Sequence, residues 1–185
     1  MLLHESFSES QLLKKIDSGA SFALFSVFKH KSDKTNDQGL IKLMDNTRNK
    51  KFKKEVLDDF MIKRFPGSGY VELDGFYIYT KKNIIKDEFS FLVTNTDYDF
   101  IKKINKYFQQ ESFIYRYPNQ DFVGLYQLRD VDYFLNNKFD TVKFNPTAEE
   151  IKKAKGATKV GRHLFIFGDS GDGLTENYQL QLLPR

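Results

Sequence analysis

The stretch that most constrains this chain runs from Asp87 to Arg116, DEFSFLVTNTDYDFIKKINKYFQQESFIYR. Phe89 to Val93 and Ser112 to Arg116 are apolar runs of strand length. Between them Phe100, Ile101, Ile104, Tyr107 and Phe108 recur at helical spacing. The stretch therefore reads as strand, helix, strand, and it demands a sheet with a helix laid across it. Each strand begins with the same chemistry, Glu88-x-Ser90 in one and Glu111-Ser112 in the other, the second preceded by Gln109-Gln110.

The residues before it supply the first half of a matching unit. Residues 5 to 18 have the spacing of a short amphipathic helix, with Ser8 or Ser10 as N-cap, Leu12, Leu13 and Ile16 as its apolar side, and Gly19 as its stop. Ser21 to Phe28, SFALFSVF, is a continuous apolar run suited to a buried strand. Lys29 to Gly39 reads as an exposed loop. A helix is expected from Asp45 or Asn46 to about Arg64, with Phe52, Val56, Leu57, Phe60 and Met61 on one side and Pro66-Gly67 as its end. Gly67-Ser68-Gly69 turns the chain into a strand from Val71 to Tyr79. Its alternation changes phase at Asp74-Gly75, which predicts either a bulge or a tight hairpin there. Lys81 to Asp87 reads as a charged loop.

The class expected is α+β: a ferredoxin-like split β-α-β core (β-α-β-β-α-β) with a C-terminal α/β extension. The division is an N-terminal helix (1–19), the core (20–118) and the extension (119–185), with no linker composition between them. In the extension, Phe122 to Leu128 reads as a strand, Asp130 to Asn136 as a short helix, and Phe139 to Phe144 as a strand. Thr147 and Glu150 have capping-box spacing at the start of a helix that Gly156 ends. His163 to Phe167 and Tyr178 to Leu183 read as a final strand pair.

Composition narrows the function. No run approaches the roughly 18 apolar residues of a membrane span, and the N-terminus lacks the basic-then-apolar pattern of a signal peptide. The absence of Cys removes disulfides, thiolate-bound zinc and a thiol nucleophile. The net charge is only +4, yet Lys29 to Arg64 holds eleven Lys or Arg against six Asp or Glu. This fifth of the chain carries the whole excess, as either a solvated basic face or an attraction for polyanions.

Motifs with catalytic precedent do not hold together. Phe167-Gly168-Asp169-Ser170 resembles the opening block of the GDSL/SGNH esterases, but no His follows it, and a Ser without a base is a weak nucleophile. Gly67-Ser68-Gly69 opens a strand, not the helix a phosphate loop requires. His30-Lys31-Ser32 has the His-x-Ser form of two-histidine phosphoesterases, but its counterpart His4-Glu5-Ser6 lies outside any strand. The three His show no metal-ligand spacing, so no metal and no cofactor is expected. Phe89 and Phe91 with Phe113 and Tyr115 would form an RNA-stacking platform if they were exposed, although the diagnostic RNP pattern is missing.

The first strand ASFALFSVF, the helix start with Asn46 and Asn49, the strand GSGYVELDGFY and the pair EFSFLV and FQQESFIYR together resemble a family of small uncharacterised bacterial and phage proteins. These carry Glu-x-Ser-Phe and Gln-(Asp/Glu)-Ser near their strand starts. The resemblance covers residues 20 to 117 and implies origin more than chemistry. It marks Asn46, Asn49, Tyr70, Glu88, Gln110 and Glu111 as positions to examine, and Lys53 joins them from its place beside the helix's apolar side. The expectation is a cytoplasmic or virion-packaged accessory protein that binds a protein partner, without catalysis. Two alternatives stand beside it: nucleic-acid binding through Lys42 to Lys54 and the aromatic sheet, and nucleotide binding through Glu88, Glu111 and Asn49.

Overall fold

The computed structural model describes residues 8–29, 35–80, 83–84, 88–139, 142–144, 147, 149–150, 156–160 and 163–167. The strands are β1 (Phe22–Phe25), β2 (Gly69–Thr80), β3 (Asn83–Ile84), β4 (Glu88–Thr94), β5 (Ser112–Arg116), β6 (Val123–Arg129), β7 (Asp132–Phe139), β8 (Val142–Phe144), β9 (Gly156–Val160) and β10 (His163–Phe167). The helices are α1 (Glu9–Asp17), α2 (Gln38–Phe52), a π-helical stretch (Lys53–Met61), the short α3 (Ile62–Arg64) and α4 (Tyr98–Tyr107). The fold is α+β, with an antiparallel sheet in the order β7-β6-β5-β1-β4-β2-β9-β10-β8 and β3 folded back on β2. Because Asn83–Ile84 pairs with β2, residues 22 to 116 run β-α-β-β-β-α-β. This differs by one strand from the expected order.

β1 lies between β4 and β5, antiparallel to both, and every one of its side chains is buried. Its odd-numbered neighbours Ala23, Phe25 and Val27 face α2, the π stretch and α4, in one cluster with Phe52, Leu57, Met61, Phe91, Ile101 and Phe113. Phe22 and Leu24 face the other way and pack with Leu12 and Ile16 of α1 and with Leu73, Leu92 and Ile114. A strand buried on both faces explains why SFALFSVF shows no alternation. α1 is anchored by a capping box in which Ser8 and Gln11 satisfy each other's backbone groups, and it stops at Gly19, where φ is +85°.

The helix before β2 begins earlier than its sequence indicates. Asp37 accepts hydrogen bonds from the amides of Gly39 and Leu40, so α2 starts at Gln38 and Asn46 and Asn49 lie within it. From Lys53 the hydrogen bonding widens to the π pattern for nine residues. Residues five apart then share a side, which is not the α-helical spacing. Phe52 and Leu57 are buried together, whereas Phe60, expected in the core, is 52% exposed and stacks on Phe100.

Two further expectations are corrected. β2 keeps an unbroken register against β4 from Gly69 to Gly75, so Asp74-Gly75 is neither a bulge nor a hairpin. Residues 130 to 136 are not helical: Asp130 takes φ +54° in a tight turn, and β7 follows directly, paired with β6. An Asp that tolerates the left-handed region makes the turn, and the apparent helical spacing of the apolar residues belongs to a hairpin. The Thr147–Glu150 capping box forms, with the Glu150 carboxylate accepting from the Thr147 amide at 2.9 Å. Residues 168 to 185, including the esterase-like Ser170 and the strand expected at 178 to 183, lie outside the described residues, as do His30 and His4.

β7 and β8 end the sheet on opposite sides, yet only two residues separate them in the chain. Three residue steps reach at most about 11 Å, whereas eight strand spacings laid flat would span nearly ~40 Å. The sheet therefore bends round on itself.

Two outcomes follow from this packing. Phe91 is 1% exposed and touches the rings of Phe25, Phe52 and Tyr70. Phe91→Ala is expected to cost about 3–5 kcal/mol, read as a lowered urea midpoint with an unchanged slope. Burial also pushes the hydroxyls of Tyr98, Tyr115 and Tyr133 up to about 12 from an ordinary 10. The folded chain keeps these protons where the unfolded chain has lost them. Stability is therefore complete below pH 10 and falls as the pH rises toward 12, which equilibrium unfolding at graded alkaline pH measures.

Candidate functional site

The positions singled out in the sequence fall into two groups. The first lies where the π stretch faces β2. Lys53 forms an ion pair with Glu72, and the Tyr70 hydroxyl donates to Asp58 Oδ1 at 2.6 Å. Lys53 and Asp58 are five apart, so only the π pattern brings both to β2, where Tyr70 and Glu72 sit two residues apart on one face. Burial, then the Asp58 hydrogen bond and the nearby Glu72 charge, drive the Tyr70 hydroxyl pKa far upward. Tyr70 is thereby held neutral as a structural donor. Asn49 is half-buried in the preceding turn, and its Oδ1 is buried with no hydrogen-bond partner among the described residues. Asn46, one turn earlier, is half-buried as well.

The second group gathers at the end of β1. β4 and β5 both begin there, because each runs antiparallel to β1. α4 ends in a Schellman motif in which the Gln110 amide donates to Asn105 O and the Gln109 amide to Lys106 O, with Gln109 at φ +54°. The Gln110 side chain donates to Phe28 O at 3.1 Å and Phe108 O at 3.3 Å, and the Gln110 main-chain carbonyl accepts from the Tyr133 hydroxyl. Gln110 thus joins the segment after β1 to α4 and β7. Glu111 is exposed, and its carbonyl accepts from Leu128 N at 2.8 Å. Glu88 opens β4 opposite Gly75. Phe91, Phe113 and Tyr115 are buried beneath the helices, so these rings offer no stacking platform to a base. Among the described residues no group of three His, Asp or Glu is placed to hold a metal ion, and no helix is long and apolar enough to cross a membrane.

The concave feature is elsewhere. A groove of about 740 Å³ runs between α2, the start of the π stretch and the end of α4, within the size range of ligand sites. Phe52, Val56 and Phe108 form its floor; Leu43, Met44, Thr47 and Tyr107 line its walls. Lys29, Arg48 and Lys51 stand at it against a single carboxylate, Glu55. Arg48 is engaged by Asp45 at 3.1 Å and by Val27 O, and Lys29 donates to Gln109 Oε1. Lys51 lies 4.0 Å from Glu55, both well exposed.

None of the groove's wall residues was singled out individually as a site residue in the sequence, although Leu43, Met44 and Thr47 fall within the basic Lys42 to Lys54 stretch. The signal was present: Leu40, Leu43, Met44 and Thr47 have helical spacing. It was hidden because the helix was expected to start at Asp45 or Asn46, which left those residues in or beside a loop. The chain matches no protein-family model, no curated protein and no solved structure.

Asp58→Ala leaves the buried Tyr70 hydroxyl without its acceptor and is expected to cost about 1–3 kcal/mol. Asp59→Ala, at the exposed neighbouring position, is expected to stay within about 0.5 kcal/mol. Parallel urea titrations of the two variants make the comparison. Equal losses would mean that the Tyr70–Asp58 bond does not hold the π stretch to β2.

Proposed function

We propose that this is a small accessory protein of bacterial or phage origin that acts by binding a protein partner in the groove between α2 and α4. The observation that carries this reading is a second apolar stripe on α2. Ile41 and Phe52 face inward, yet Leu40 and Leu43, at 51% and 62% exposed, and Met44 face solvent beside the groove, with Tyr107 80% exposed across from them. Isolated exposed apolar residues are ordinary, but a continuous stripe next to a groove is the usual mark of an interaction surface. Met adapts its shape to different partners, and Tyr supplies a large contact at small entropic cost.

The fold assignment that accompanies this reading is a ferredoxin-like split β-α-β unit. The order β5-β1-β4-β2 and the placement of α2 and α4 over one face of these strands support it. Nucleic-acid binding is the second reading, and one observation favours it: residues 38 to 54 hold six Lys or Arg against one Asp.

A displayed library of random peptides, panned on the immobilised protein, tests the proposal. Enrichment is expected on the wild type and is expected to disappear on Leu43→Glu, an exposed substitution that leaves the melting temperature in place. Failure of enrichment, or enrichment that survives Leu43→Glu, overturns the groove as the binding site.

A further inference from the structure

We infer that the occupant of the groove is an acidic, amphipathic helical segment of another protein. This deepens the binding reading above and rests on it. Three properties of the surface point to that occupant.

The first is shape. Leu40, Leu43, Met44, Thr47 and Lys51 follow one another along a single side of α2, a ridge of about 16 Å, or three helical turns. A helix laid beside it would present apolar residues at i, i+3, i+4 and i+7, the spacing by which helices enter apolar grooves. An extended strand would need a free sheet edge, and the groove is bounded by helices.

The second is charge. With Arg48 paired to Asp45, the groove lining leaves two cations, Lys29 and Lys51, against one carboxylate, Glu55. Lys42, Lys50 and Lys54 add to this on the exposed surface of the same helical segment. An occupant whose apolar stripe is flanked by Glu or Asp meets complementary charge along its length, whereas a basic one meets repulsion.

The third separates a peptide from a polyphosphate or nucleic acid. Compact phosphate sites use helix N-termini or Gly-rich loops, where backbone amides point at the anion. Here α4 presents its C-terminal end, Tyr107 to Gln109, where the helix dipole is negative. Arg48, the side chain best suited to grip phosphate with two parallel bonds, is already committed to Asp45 and Val27 O. Dispersed carboxylates on a helix can reach Lys51 on the α2 side of the groove without approaching the α4 end.

The test uses the full chain and four labelled probes followed by fluorescence anisotropy. They are a synthetic helical peptide with Leu at i, i+3, i+4 and i+7 and flanking Glu, the same peptide with Gln for Glu, the same with Lys for Glu, and an oligothymidylate. The Glu peptide is expected to bind about tenfold more tightly than the Gln peptide at low salt. That advantage should shrink as salt rises and invert in favour of the Lys peptide on a Lys29→Glu/Lys51→Glu double variant. Leu43→Glu should abolish binding of all three peptides. Equal binding of the Glu and Gln peptides overturns the charge inference but leaves a peptide-binding groove intact. Binding of none of the peptides removes both. Oligothymidylate that binds more tightly than every peptide, and is lost on Lys29→Glu/Lys51→Glu, replaces the protein partner with a nucleic acid.

Discussion

The ring of Phe52 holds this protein together. It meets Phe25 of β1 and Phe108 at the end of α4 edge-on, at 5.7 and 5.1 Å, and Phe91 of β4 at 5.1 Å in a tilted contact. One side chain thus fastens α2 to two central strands and to the neighbouring helix. Ring pairs in these arrangements add about 0.5–1.5 kcal/mol beyond the burial of their area. Phe52 is also the last α-helical residue before the hydrogen bonding widens, and it is part of the groove floor. The groove's base and part of the core are the same residue, so the groove rests directly on the buried cluster.

The π stretch is the second organising device. Nine residues in this pattern exceed the single-turn bulges usually seen, and such bulges gather at functional sites. Here the consequence is positional. Widening the helix turns Lys53 and Asp58 together toward β2 and leaves Val56 at the groove. The two sides of one helix therefore serve different ends. A polar pair of contacts locks it to the sheet, and a mixed apolar and basic side is left at the groove.

Much of the architecture was legible in the sequence because the signals were strong and local. The Asp87 to Arg116 unit, the double-sided burial of Ser21 to Phe28 and the Thr147–Glu150 box all follow from spacing that only one structure satisfies. Other features were hidden by competing periodicities. The α spacing assumed through Phe60 fails once residues five apart align. The apolar residues between Asp130 and Asn136 mimic a helix because a two-residue turn breaks their alternation. The site was less readable still. Gln110 and Glu111 stood out because their chemistry repeats at two strand starts, but only Gln110 makes the joint at the end of β1, and Glu111 is exposed. The groove depended on Asp37 as a cap, and a single Asp among Thr35, Asn36 and Gln38 gives little warning that a helix begins there.

The central place of β1 has a consequence for how the chain is made. Its two hydrogen-bonding partners lie about 70 and about 90 residues further along. On a ribosome that adds roughly 5–20 residues per second, the Phe-rich segment emerges some ~5–20 seconds before its second neighbour exists. Until then it is an apolar strand with at least one edge open, the kind of surface that chaperones hold and that aggregation exploits. Synthesis in the cell, more than stability once folded, is where this topology is most exposed.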